Sequence, residues 1–269
     1  MAAKRFSPSA AWDDVRARLV ANRQLLIALG GAFFLLPCLI FFFFSAPLER
    51  LAALGPEPAP QEVSAIGQQL LPWMLFLVVA FWAGQLAILG GVMLGEGRAA
   101  KQAIATALSR FGYLGLVNIL VAAALLLLDT VLGLAGFWGV LVAFAVQIYI
   151  QVRLTVVAPV LVAEQARWPI SVVRRSWEIT SGNFFRMFAF YLLVVVLTTL
   201  LIFVALLIVG VLLVLTGLGG EGGGSPNPIL MTVLALGLTT LMVLSVLMSL
   251  AIYRQLAEGR TATLPHAHR

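Results

Sequence analysis

The side chains able to do chemistry in this 269-residue chain are few and badly placed for it. There are two histidines, one cysteine and 11 carboxylates. His266 and His268 stand in the last four residues, where a solvated tail is the ordinary reading of a His-Ala-His sequence. Cys38 sits in an apolar run with no second cysteine to bridge to. No His-Glu-x-x-His pair, phosphate loop or nucleophile elbow occurs. The chain is therefore expected to be no enzyme and to carry no cofactor. The polar groups that demand an explanation lie inside long apolar runs instead: Gln85, Asn118, Gln147, Gln151 and Arg153. Groups of this kind are costly at membrane depth and usually face other helices or a water-filled path. Gln147 and Gln151 continue a face that begins at Gly139 and Ala143. Ala83, Ala87, Gly91 and Gly95 make a similar stripe, and small residues at this spacing let helices approach closely. Packing is the first reading for Gln85, Asn118, Gln147 and Gln151, and a transport path the second. Arg153 needs a partner, and Glu164 and Glu96 are the carboxylates within reach from the same side. A second basic group, Arg174, Arg175 and Arg186, joins Arg153 as a candidate contact for lipid phosphate, because a guanidinium can hold two phosphate oxygens at once.

The elements that position these residues follow from composition. The chain is 62% hydrophobic and 10% charged, against about 25% charged in soluble proteins. A spanning helix needs roughly 20 apolar residues, and six segments qualify: 25–44, 70–94, 112–132, 137–162, 188–216 and 229–253. The runs are continuous, where an outer-membrane barrel would alternate over about ten residues, so the expected class is an all-α integral membrane protein. With the N-terminus inside, 16 of the 17 basic and six of the 11 acidic residues fall on the inner side, giving +10 there and −4 outside. The basic side of short loops stays cytoplasmic, which predicts cytoplasmic termini in a bacterial inner membrane. The first run is longer than a signal-peptide core of 7–15 residues and is expected to be a retained span. The charge excess is thereby accounted for without nucleic acid; the expected partners are membrane lipids, mainly anionic.

Three segments before the odd-numbered spans read as amphipathic helices at the inner interface, about 8–23, 98–111 and 169–181. Ser7 and Pro8 open the first, which aligns Trp12, Val15 and Leu19 and pairs Asp14 with Arg18. The second aligns Ile104, Leu108 and Phe111 and ends at Gly112. The third begins at Pro169, aligns Ile170, Val173 and Trp177, and stops at Gly182-Asn183. Such short, basic-faced helices lie in the interface rather than across the bilayer. One membrane domain spanning 1–269 thus reads as three copies of in-plane helix, outward span and inward span. The copies reflect either a true triplication or the repeated use of amphipathic linkers.

One stretch is specific. Residues 147–164, QIYIQVRLTVVAPVLVAE, and 169–186, PISVVRRSWEITSGNFFR, carry Arg153, Pro159, Glu164, Arg174-Arg175-Ser176-Trp177, Thr180 and Gly182-Asn183-Phe184. This pattern resembles the membrane-domain family attached to some glycerophosphoryl diester phosphodiesterases and the related YciC-like inner-membrane proteins. The resemblance implies a helical membrane domain of ill-defined role. It does not import the phosphodiesterase activity, whose paired histidines and metal-binding carboxylates belong to a separate soluble barrel that this chain has no room for. The expected function is accordingly non-enzymatic, in lipid organisation or membrane homeostasis; the alternative is a transporter or channel for an amphiphile or small solute.

Overall fold

The computed structural model describes residues 5–44, 47, 50–51, 54, 59–94, 100–164, 168–216 and 227–261. Within these it is almost entirely helical, with no strand. Six of its helices are long and apolar enough to cross a membrane: Arg23–Phe44, Pro60–Met93, Lys101–Gly133, Gly136–Ala163, Phe184–Leu215 and Pro228–Ala257. The protein is an all-α, multi-pass membrane protein.

Helix α1, Pro8–Ala21, starts as its sequence dictates. The Ser7 side chain accepts from the Ala10 N–H, Pro8 takes the first position, and Arg18 Nε lies 2.8 Å from Asp14 Oδ2. The first span comprises α2, Arg23–Gly30, and α3, Leu36–Phe44, joined by a π turn over Gly31–Leu35. Pro37 lies just beyond that turn; its ring displaces the carbonyl four residues back, and the wider turn absorbs the displacement. Helix α4, Pro60–Leu89, begins ten residues before the expected start of the second span. Pro60 opens it, Glu62 stands in its first turn, and Ala59 O takes the Glu62 N–H at 2.9 Å. Those start signals extend the helix through Gln61–Gln69, residues expected to form a connection. It ends in a second π turn, Gly90–Leu94.

Helix α5, Ala100–Leu108, is separated from α6, Phe111–Gly133, by a turn at Ser109–Arg110. Gly112 therefore lies inside the first turn of α6, not after the end of α5 as expected. The fourth span is two helices, α7 over Gly136–Leu154 and α8 over Val157–Ala163. The break at Thr155–Val156 falls one turn before Pro159, where the missing N–H and the ring would have met the Thr155 carbonyl. Helix α9, Pro169–Thr180, then α10, Phe184–Leu215, and α11, Pro228–Thr261, complete the chain.

The chain divides into two compact units: residues up to Arg23 with Gln85–Leu192 and the chain from Leu244 onward, and Gln24–Gly84 with Leu193–Val243. In the second unit, Phe34 is buried beside Gly84 and its ring lies 5.7 Å from that of Phe81. Gly237 packs on Ile202 and Gly30 on Val243, so helices meet where a residue is small.

The first unit contains all three short amphipathic helices, and they share one docking pattern. Each buries a pair of residues four apart to 0–1% exposure: Ala11 and Val15, Ala103 and Ala107, Val172 and Ser176. The bulky neighbours lean outward, with Trp12 at 40%, Ile170 at 77% and Trp177 at 38% exposure. The docked faces are thus rotated by about one residue from the expected stripes; only Val15 belongs to both. The expected stripes were chosen by bulk, whereas close approach selects the smaller side chains beside them. Ala103 and Ala107 seat against Gly90, whose absent side chain makes the space.

Candidate functional site

The best-organised polar site in the first unit is built where α7 breaks and α9 packs across α6, α7 and α8. The break leaves the carbonyls at the end of α7 without the regular helical ladder. Two hydroxyls from α9 replace it: Ser176 Oγ donates to Arg153 O at 2.7 Å, and Thr180 Oγ1 stands 3.4 Å from the same oxygen. The Arg153 side chain, 9% exposed, folds back over its own helix. Its Nε and Nη2 donate to Tyr149 Oη at 3.1 and 2.9 Å, and Nη1 lies 3.5 Å from Thr180 Oγ1. The guanidinium carbon is 5.2 Å from the Tyr149 ring centre and 5.3 Å from that of Trp177. These rings meet edge to face at 5.6 Å, and Phe184 packs on Tyr149 at 4.9 Å. Aromatic faces stabilise a desolvated guanidinium by about 2 kcal/mol, so the charge is held by quadrupoles and hydroxyls.

This corrects the expected partner of Arg153. Glu164 accepts from Arg175 Nε at 3.1 and 3.2 Å and lies 3.5 Å from Tyr253 Oη. Glu96 lies outside the described residues. Among the described residues no carboxylate forms an ion pair with Arg153. The break at Thr155–Val156 sends the chain toward Glu164 in a new direction; Pro159 marks a break in the sequence but does not fix that direction.

The four arginines expected to act together have separate settings. Arg174 is 82% exposed and pairs with Glu178 at 3.0 Å, Arg175 is half-buried against Glu164, and Arg153 is enclosed. Arg186 Nη1 donates to Phe6 O at 3.4 Å. That last contact belongs to a clamp the sequence did not reveal. Phe6, 1% exposed, inserts against Phe190 at 5.7 Å, and its N–H donates to Asn183 Oδ1 at 2.8 Å. Ser7 N–H donates to Gln255 Oε1 at 3.0 Å, and Gln255 Nε2 returns a bond to Ser7 O. Gly182, with φ of 79°, makes the turn that aims Asn183 at Phe6. The Gly182-Asn183 pair thus ends α9 and also secures the segment before α1.

The intramembrane amides diverge. Asn118 donates to Leu114 O in its own helix, and Gln151 is exposed. Gln85 is half-buried. Gln147 Nε2 donates to both oxygens of Asp129, at 2.7 and 2.6 Å. Asp129 and Gln147 come from opposite arms of the tight α6–α7 hairpin, where Gly139 packs on the Leu132 backbone. Side chains in a helix lean toward its N-terminus; in antiparallel arms that brings these two together despite their offset. Gln147, Gln151 and Arg153 therefore look to three different surroundings. No group of three His, Cys, Asp or Glu able to hold a metal occurs among the described residues. No protein-family model, curated protein or solved structure matches this chain.

Proposed function

We propose that this is a non-enzymatic protein of the bacterial inner membrane, with cytoplasmic termini, that organises anionic lipid at the inner surface through its three short docked helices. The observation that carries the reading is the shared docking pattern. Each helix seats on a buried pair and turns bulky or basic neighbours outward, so Trp12, Trp168, Ile170 and Trp177 can enter the headgroup boundary beside Arg174 and Arg175. Each basic residue near an anionic surface contributes about 1 kcal/mol. The ion pairs of Arg174 and Arg175 are exposed or half-exposed, and such pairs are worth roughly 0–1 kcal/mol, so a lipid phosphate can compete for both forks. Arg153 and Arg186 act behind them by holding α9 and the segment before α1. The divergence of Gln147, Gln151 and Arg153 supports this reading over transport, and the resemblance of residues 147–186 to a non-catalytic membrane domain agrees with it.

The test replaces Arg174 and Arg175 together by Lys, keeping charge but removing the fork, and counts phosphatidylglycerol retained in native mass spectrometry from nanodiscs. A several-fold loss with normal insertion is expected. Unchanged retention would reduce these residues to an orientation signal. Reporter fusions near Glu57 and Lys101 check the topology, with external and cytoplasmic signals expected respectively.

A further inference from the structure

At the opposite end of the α6–α7 hairpin from α5 and α9 lies a cleft of about 220 Å³ lined by Asp129, Val140, Ala143, Phe144 and Gln147. We propose that it binds the primary ammonium headgroup of a membrane lipid.

The argument begins with charge. Asp129 is one turn from the end of a membrane-crossing helix, and both its oxygens accept from Gln147, as an ionised carboxylate does. Among the described residues no Lys, Arg or His forms an ion pair with it. A carboxylate has about four acceptor positions, and Gln147 fills two. Gln147 Oε1 accepts no hydrogen bond among the described residues, so it adds another vacant acceptor. The polar wall of the cleft offers acceptors and negative charge, with no donor to spare. Its ligand must bring both donors and positive charge.

The remaining walls select among cations. A bare divalent ion takes about six oxygens, and Asp129 and Gln147 supply half that number at most. Val140, Ala143 and Phe144 are apolar, and Val140 and Phe144 are 56% and 62% exposed on the outer surface of this apolar hairpin. The opening thus meets acyl chains and headgroups. At about 220 Å³ the cleft has room for a small headgroup and not for a whole amphiphile. An ammonium with three N–H donors fits the vacant acceptors, whereas a trimethylammonium has none. The cleft is remote from Arg174 and Arg175 and does not depend on the function proposed for them.

The full chain is reconstituted in nanodiscs of phosphatidylglycerol containing equal minor fractions of phosphatidylethanolamine and phosphatidylcholine, and retained lipids are counted by native mass spectrometry. Wild type should retain phosphatidylethanolamine at least five-fold over phosphatidylcholine. Asp129→Asn, nearly isosteric and still able to bond Gln147, should abolish that preference while leaving phosphatidylglycerol unchanged. Val140→Trp, which fills the cleft from its exposed rim, should do the same with Asp129 intact, so that a folding defect in one variant does not decide the outcome. Equal retention of the two lipids by wild type, or an unaltered preference in both variants, overturns the proposal. So does a wild-type dimer that Asp129→Asn dissociates without loss of phosphatidylethanolamine, which would assign the cleft to a second copy of the chain.

Discussion

Replacing Ser176 by Ala removes one oxygen and tests whether α9 is held by the broken end of α7. Ser176 is fully buried, and its 2.7 Å bond to Arg153 O has the length of a strong O–H···O contact. The methyl of Ala fills nearly the same space, so no cavity term enters. What remains is a buried carbonyl stripped of its best donor, which costs about 1–3 kcal/mol. Thr180 cannot fully replace it: its Oγ1 is 3.4 Å from that oxygen and has one hydrogen, which Ser176 O competes for at 2.9 Å. Taking about 2 kcal/mol, the population of undocked α9 rises roughly 30-fold, since 1.4 kcal/mol is a factor of ten. Arg174 and Arg175 lie on the same helix, so limited trypsin digestion in nanodiscs reads that population when opening is fast relative to cleavage. Cleavage after these two residues should accelerate about 30-fold in Ser176→Ala. In the control Ser171→Ala, at an exposed position, it should change less than three-fold. Wild-type cleavage rates in Ser176→Ala would refute the claim that the hydroxyl closes the broken helix end.

Two further substitutions probe the packing. Phe6→Ala should destabilise the first unit by about 3–5 kcal/mol, because Phe6 is 1% exposed against Phe190; thermal unfolding in detergent measures it, and adding Asn183→Ala should cost less than the sum of the two changes, since both act on one contact. Gly139→Val should cost about 1–3 kcal/mol or more, because a side chain there meets the Leu132 backbone across the α6–α7 turn; a detergent unfolding midpoint equal to wild type would refute the close approach.

The sequence by itself determined the six spans, since continuous apolar runs of about 20 residues with almost no charge match the thickness of the bilayer's hydrocarbon core. It also determined several local events, because each is a property of one residue and its neighbours. Ser7-Pro8 and Pro169 start helices, Pro159 breaks the fourth span, and Gly182 stops α9. Only the tertiary structure decided which faces dock. In a soluble protein the buried face is the apolar one, but lipid chains are as apolar as leucine, so the contrast that marks a core disappears. Bulk alone does not mark the docked face: on the three short helices Ala11, Ala103, Ala107 and Ser176 are enclosed while Trp12, Ile170 and Trp177 face outward, yet Ile179 on α9 and Phe6 before α1 are enclosed as well. The same reason hid the polar partners. Arg153 over Trp177, Asn183 on Phe6 and Gln147 on Asp129 are joined across 24, 177 and 18 residues of sequence by packing between elements. Glu164, expected to reach Arg153, pairs with Arg175 beyond the break instead, and the direction taken after a break is set by what the next helix packs against.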